Sequence, residues 1–384
     1  MNKQNKLAEI HYSGKPYIIY KSKKGFDLYT NFSKKIILNN RNIKNFLGKK
    51  YKSKTKNTDL FIGFFGYELL NNLINVKIPK QKNVNFPKGI FYKPEKIIKL
   101  SNNLDYQSSK TFKSSNFKIN INKNSYTKIF NKFLKKIKSG ETYQIKICTK
   151  YKTKSKINPL DFFSRLSKTN LAPEAFMIKD SNYSIISCSP ENLITKKGSF
   201  ISTKPIAGTV KKNKKMNKIS ALNYFKKNLK ETKEHNMIVD MERNDLSRIC
   251  KIGTVQLSRT KVVEEYKDLF HYVSLIKGKL KKNVKNIDII KAMMPGGSVI
   301  GCPKISTLNL LNKQENENKN IYTGSFGYIK FNGDMRFNII IRSILNFDNF
   351  SEISVASGVV VDSNAKHEFN ENYIKAKALI DLFK

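Results

Sequence analysis

Two spacings of apolar residues divide the chain into elements. Up to about residue 115, short apolar runs are broken by polar residues, as in PYIIYKSKKGFDLYT and DLFIGFFGYELL, and predict strands. A Lys-, Asn- and Ser-rich stretch over about 101–117 then predicts a loop or a boundary. From NSYTKIFNKFLKKIKSGE onward apolar positions fall three and four apart and predict a helix, followed by a strand in TYQIKICTKY and a helix in NPLDFFSRLSKT. EAFMIKD, YSIISCSPENLITKK and FISTKPIAGT predict successive strands joined by short turns. A long helix is predicted over about 218–241, ahead of RNDLSRIC, and another around YKDLFHYVSLIKGKL. After a Gly/Pro loop, MMPGGSVIGCPK, come a helix in ISTLNLLNK, strands in TGSFGYIKFNG, MRFNIIIRSILNF and SEISVASGVVVD, and a closing helix in HEFNENYIKAKALIDLF. Mixed strands and helices with several hairpins predict an α+β fold rather than a doubly wound parallel sheet.

Composition narrows the class. The chain has 384 residues, 39% of them hydrophobic, enough to bury a substantial core. Its N-terminal stretch, MNKQNKLAEIHYSGK, has no apolar signal region, and no run of about 18 apolar residues occurs, so a soluble, cytoplasmic protein without membrane association is expected. Lys and Arg number 73 against 29 Asp and Glu, a net charge of +44. Such a charge suits a nucleic-acid- or membrane-binding protein, which stands as the alternative class. Only seven of the 73 are Arg, however, and no recognition motif accompanies them, so no nucleic-acid partner is expected. Cys148, Cys188, Cys250 and Cys302 are widely separated, show no zinc spacing, and read as small buried hydrophobes.

In so basic a chain, carboxylates crowd into KEHNMIVDMERND, Lys233 to Asp245. Glu231 and Glu234 are three apart on the predicted long helix and project from one face; Glu368 and Glu371 repeat that spacing on the last helix, with Lys375 one turn further. Two such pairs can hold a hard cation, and a solvated helix face is the other reading of each pair. The loops PGGSVIGCPK and KPIAGT could bring backbone N–H groups to an anion, or serve as ordinary turns; Lys304 follows Gly301 without the P-loop ending. Glu191, at a strand end beside a proline, is a candidate general acid or a turn residue. His271 lies within the apolar predicted helix as a core histidine or a catalyst; Arg342 ends FNIIIR, suited to a carboxylate ligand or to an edge-strand ion pair; Tyr322 precedes TGSFGY.

In order along about 125–384, GETYQIKI, CSPENL, KPIAGT, KEHNMIVDMERNDLSRIC, PGGSVIGCPK, GSFGY, IIIRS and EFNENYIKAKAL resemble the chorismate-utilising enzymes: anthranilate synthase component I, aminodeoxychorismate synthase component I, and the isochorismate and salicylate synthases. The resemblance implies an anthranilate synthase component I-like fold, two large facing, mostly antiparallel β-sheets flanked by helices. The strand-rich N-terminal region, residues 1–117, would complete one body with a chorismate-binding catalytic domain over 118–384. It implies a Mg²⁺ ion on Glu234 and Glu371, with Glu231 and Glu368 in outer or water-mediated roles, clamping the ring carboxylate of chorismate. Arg342, Tyr322 and Lys375 would hold the substrate's carboxylates, beside Ala207, Gly208 and Gly358. Glu191 would protonate the departing C4 hydroxyl and His271 would support pyruvate elimination, with Gln144 and Thr209 also at the catalytic centre.

Single positions bear on the branch of the family. Gln144 stands where the water-adding members carry a lysine base, which implies ammonia as nucleophile. Ala207 stands where most aminodeoxychorismate synthases carry a lysine that attacks the ring, and its presence points to amination at C2 and to anthranilate. PGGSVIGCPK and YQIKI are closer to the aminodeoxychorismate branch, and no LLES element linked to tryptophan inhibition is present. Val210 replaces an arginine common after GT, and Ala356 a glycine in the loop before Gly358. With none of the four cysteines in a nucleophile-elbow context, ammonia is expected from a separate glutamine amidotransferase subunit.

Overall fold

The computed structural model describes residues 3–78, 86–102, 104, 106, 116–169, 171–213, 216–266 and 269–384. Most of the stretch read as a loop or boundary, 101–117, lies outside them. The first third carries α1 (Lys3–Tyr12), β1 (Tyr17–Ser22), β2 (Gly25–Ile37), α2 (Ile43–Gly48), β3 (Leu60–Phe65), α3 (Tyr67–Leu73) and β4 (Gly89–Leu100). Next come β5 (Lys118–Ile119), α4 (Lys123–Lys138), β6 (Gln144–Lys154), α5 (Pro159–Thr169), β7 (Glu174–Lys179), β8 (Tyr183–Ser189), β9 (Asn192–Lys197), β10 (Phe200–Lys204) and β11 (Ile206–Lys211). After α6 (Lys218–Lys227) and α7 (Leu229–Ile249) follow β12 (Gln256–Glu265), β13 (Leu269–Lys279), α8 (Asn286–Met293), β14 (Gly301–Cys302) and α9 (Lys304–Gln314). The chain closes with β15 (Ser325–Lys330), β16 (Met335–Asn338), β17 (Ser343–Phe347), β18 (Phe350–Val359) and α10 (Ala365–Ile380).

All of these strands join one antiparallel hydrogen-bonded network, the α+β class expected. One half runs β6, β18, β17, β8, β7, β1; the other runs β4, β3, β15, β16, β9, β10, β13, with β11 and β12 both on β13. The thirteen-residue β2 pairs with both β1 and β4 and makes the halves continuous. They fold face to face on an aromatic core: Phe176 of β7 stacks on Phe326 of β15 at 3.8 Å between ring centroids, and Tyr20 of β1 meets the same ring edge-on at 5.1 Å. Each such fully buried ring removes enough apolar surface from water to contribute about 2–3 kcal/mol. Helices cover the outer faces. On α4, Tyr126, Phe130, Phe133 and Ile137 recur at three and four and are buried against Ile145 and Ile147 of β6, while Asn122 caps the helix by accepting the Ser125 N–H.

Four elements depart from the pattern reading. Within YKDLFHYVSLIKGKL, Leu269–Lys279 is the strand β13, not a helix: it lies between neighbours on both edges, so Phe270 to Ser274 are all buried, and a continuous apolar run does not by itself separate a buried strand from a buried helix. The helix over 218–241 is two helices. Asn228 ends α6 and its side chain accepts the Glu231 N–H to start α7, which then runs on through RNDLSRI to Ile249. DLFIGFFGYELL is a strand only to Phe65, where Gly66 leads into α3, and α1 and α2 are further helices in a region read as strands. MRFNIIIRSILNF is two strands, and Arg342 sits between them with φ of 52° instead of ending one.

Candidate functional site

The chain crosses between the two halves of the sheet at two places that lie side by side. Between β8 and β9 it passes through Pro190 and Glu191; between β16 and β17 it passes through 339–342. The crossovers are tied together, since the Ile339 N–H donates to the Glu191 carbonyl at 3.1 Å and the Cys188 N–H to the Arg342 carbonyl at 3.1 Å. Neither segment belongs to a strand, and both release a side chain into one cavity of about 1320 Å³. Glu191, Arg342, Tyr322, Gly208, Thr209, Gly358, Glu231, Glu234, Glu368, Glu371 and Lys375 all line it, so most of the residues singled out from sequence converge there.

Glu191 is 5% exposed. The Ser298 hydroxyl, from the Gly-rich loop after α8, donates to its Oε1 at 2.7 Å. Burial pushes its carboxyl up to about 7, against the opposing pull of the Ser298 hydrogen bond and of the Lys146 charge. A carboxyl poised there can deliver a proton near neutral pH. Just beyond the same loop Lys304 is buried and pairs with Asp245 of α7 at 2.5 Å, donating also to the Ala292 carbonyl, so its ammonium is already engaged.

The carboxylate pairs lie on α7 and α10, and all four side chains line the one cavity. Glu234 Oε1 accepts from Gln144 Nε2 at 2.7 Å and from Lys146 Nζ at 3.0 Å, both on β6. Burial opposes its charge, yet Lys146 and the two hydrogen bonds hold its carboxyl below the usual range. Glu371 is paired with Lys375 at 2.6 Å; burial opposes its charge too, and the lysine outweighs it. Lys375 also donates to the Ala356 carbonyl at 2.9 Å, and burial lowers its ammonium despite Glu371. Glu368 is buried in the first turn of α10 and accepts from Ser363 at 3.0 Å. Gln144 itself does not line the cavity; it steadies Glu234 from behind. The donors on both helices are carboxylate oxygens, which suit a hard cation. Among the described residues no group of three His, Cys, Asp or Glu side chains converges at ligand spacing. An ion here would therefore take one or two carboxylates and complete its shell with water and substrate oxygens.

Arg342 contributes the opposite charge. Burial pulls its guanidinium below the usual range, and among the described residues no carboxylate forms an ion pair with it, so the edge-strand ion pair is not what holds it. It lines both the large cavity and an adjoining one of about 60 Å³. His271 lines only the smaller. Its Nδ1 is 2.9 Å from the Thr209 hydroxyl on the paired strand β11, and burial pushes the imidazole down to about 4, leaving it neutral at physiological pH.

Two glycines keep this geometry open. A Cβ on Gly208 would stand 2.6 Å from the Phe225 ring and 2.7 Å from Glu231 Oε2; one on Gly358 would stand 2.7 Å from Lys146 Nζ and 2.9 Å from Gln144 Nε2. Ala207 is on β11, but its side chain falls outside the described residues. Val210 packs with Phe225, Phe270 and Tyr272 in a small apolar cluster, and Ala356 offers its carbonyl to Lys375. Sequence reasoning missed Lys146 and Ser298. Lys146 was reachable, because the period of two along a strand puts it on the face of Gln144; Ser298 meets Glu191 only through a contact 107 residues apart.

Comparison with known proteins places these features in a family. The sequence profile of one family, described as chorismate binding enzyme, matches residues 5–381. Aminodeoxychorismate synthase component 1 of Bacillus subtilis is 33% identical over 267 residues, 69% of this chain and 57% of that protein, so the chain spans little more than half of that relative's length. Anthranilate synthase component 1 of Saccharolobus solfataricus is 31% identical over 332 residues, covering 83% of this chain and 79% of the relative. Two solved structures share the fold: anthranilate synthase component I from Streptococcus pneumoniae, with a TM-score of 0.76 at 24% identity, covering 96% of this chain and 90% of that one, and the menaquinone-specific isochorismate synthase from Escherichia coli, with a TM-score of 0.78 at 15% identity, covering 98% and 91%.

Proposed function

Because the chain belongs to the family of chorismate binding enzymes, we propose that its large cavity aminates chorismate with ammonia and then eliminates pyruvate, giving anthranilate. The observation that carries this reading is the convergence of one protonatable carboxyl, Glu191, with the Arg342 guanidinium and the two carboxylate-bearing helices in a single cavity. Arg342, Tyr322 and Lys375 would hold the substrate's two carboxylates. Ammonia adds at C2 as the C4–O bond breaks, and Glu191 gives its proton to the departing hydroxyl, which leaves as water. In the second step neutral His271 would take the C2 proton while the enolpyruvyl C–O bond breaks and its methylene gains a proton, so that the ring becomes aromatic and pyruvate departs. Glu234 and Glu371 would hold a Mg²⁺ ion, which would supply positive charge toward the ring carboxylate.

Amination at C2 is favoured by Ala207, which has no amine to offer the ring. A second reading, amination at C4 to aminodeoxychorismate, is favoured by Ser298: the loop closest to that branch is the one that touches Glu191. Ammonia would come from a glutamine amidotransferase partner. Burial pushes Cys148 and Cys188 up to about 12, Cys250 up to about 11 and Cys302 above its ordinary value, so none of the four thiols is poised as a glutaminase nucleophile. Purified protein incubated with chorismate, Mg²⁺ and ammonium at pH values from neutral to alkaline, with products identified by mass and fluorescence, tests the reading. Anthranilate with one pyruvate is expected; aminodeoxychorismate without pyruvate would replace it by the second reading, and unchanged chorismate would overturn both.

A further inference from the structure

Lys146 is a cavity-lining cation that the proposed reaction does not use. Along β6 the side chains alternate, so Gln144 and Lys146 leave the same face, and both cross the bare Cα of Gly358 on the paired strand β18. They end on one atom, Glu234 Oε1, with the ammonium at 3.0 Å and the amide at 2.7 Å. The lysine side chain is only 12% exposed and its partner carboxylate 24%, so the contact is screened by water far less than a surface pair. Glu371 and Glu368 of α10 line the same cavity as this pair. The position a hard cation would take between α7 and α10 is thus already served by a positive group that the chain itself supplies.

We propose that Lys146 is a resident cation of this carboxylate cradle, holding Glu234 in the empty enzyme and competing with a divalent ion for it until substrate binds. The inference rests on the reading of Glu234 and Glu371 as ligands. Charge explains the competition. Five glutamates and the cations Lys146, Lys168, Lys212, Lys375 and Arg342 line the cavity, and of these cations Lys146 is the one bonded to Glu234. Bringing a divalent ion to Glu234 sets it against the ammonium across a few ångströms of poorly screened space. A bound dianion offsets that repulsion, so the ion and the substrate would favour each other's binding. Gly358 makes the arrangement possible, because any side chain there would displace the lysine head.

The test is Mn²⁺ binding to the full-length chain, read from the loss of the free-ion electron paramagnetic resonance signal near neutral pH, without and with chorismate. Without chorismate, Lys146→Met is expected to bind Mn²⁺ roughly ten-fold or more tightly than wild type, and Lys146→Arg to match wild type. Chorismate is expected to raise wild-type affinity by a larger factor than that of Lys146→Met. Equal or weaker binding by Lys146→Met would overturn the resident-cation role while leaving the carboxylate site intact. Failure of wild type and Lys146→Met alike to bind Mn²⁺ with chorismate present, both being folded by circular dichroism, would overturn the ligand reading and this inference with it.

Discussion

The Ser298 hydroxyl donates to the Glu191 carboxylate at 2.7 Å and so ties the Gly-rich loop after α8 to the crossover after β8. That hydrogen bond favours the ionised carboxylate, while burial, the stronger influence, favours the acid, and the carboxyl settles at about 7. If Glu191 delivers the proton, turnover requires its protonated form and falls as pH rises through that value. Ser298→Ala removes the opposing bond. The basic limb of kcat against pH is then expected to move up by roughly 0.5–1 pH unit, with Glu191→Gln losing about 100-fold or more at all pH values.

The same carboxyl sets a stability expectation. Its folded value, about 7, lies above its ordinary 4.5, so between those values the folded protein binds more protons than the unfolded chain, and stability falls as pH rises from about 4.5 through 7. The loss is complete above 7 and amounts to about 3 kcal/mol. Glu191→Gln keeps the shape and carries no charge. Its urea midpoint relative to wild type is expected to rise between pH 5 and pH 8, and a pH-independent difference would show that the carboxyl is not strained by burial.

The sequence made these carboxylates legible to different degrees. Glu234 and Glu371 stood out because paired carboxylates three apart on helices are unusual in a chain with 73 basic and 29 acidic residues. The strand carrying His271 was misread because its apolar run is buried on both faces, which erases the period of two. Arg342 was visible as a rare arginine, but its place in a crossover was not, since four residues outside any strand interrupt an otherwise continuous apolar run. Lys146 was hidden by abundance: among so many lysines, only the register with Gly358 and the reach to Glu234 mark it.

Arg342 offers a planar fork into the cavity, and among the described residues no carboxylate forms an ion pair with it, so a ligand carboxylate is its natural partner. Arg342→Lys keeps the charge and loses the fork. It is expected to raise KM for chorismate roughly ten-fold with a smaller change in kcat, and Arg342→Ala to raise it about 100-fold. A KM unchanged in both variants would remove Arg342 from substrate binding.

Glu371→Gln is expected to abolish turnover while circular dichroism and the thermal midpoint stay close to wild type, because the carboxylate is half-exposed and its ion pair with Lys375 contributes little to folding. Removing divalent ions with a chelator should likewise stop turnover, and added Mg²⁺ should restore it. Wild-type activity in either case would remove the metal from the reaction.

Asp245 and Lys304 form a pair of another kind. Both are buried, 4% and 6% exposed, and the ammonium at 2.5 Å also reaches the Ala292 carbonyl, so the bond fastens α7 to the start of α9 just beyond the loop that carries Ser298. Replacing one partner strands a charge away from water. Lys304→Met is therefore expected to destabilise the fold by about 3–5 kcal/mol. Lys304→Met combined with Asp245→Leu removes both charges and should recover most of that loss, because two apolar groups need no solvent. If the pair serves only folding, the double variant will also keep the pH dependence of kcat. A shifted basic limb in a well-folded double variant would mean that the same fastening sets the position of Ser298 against Glu191.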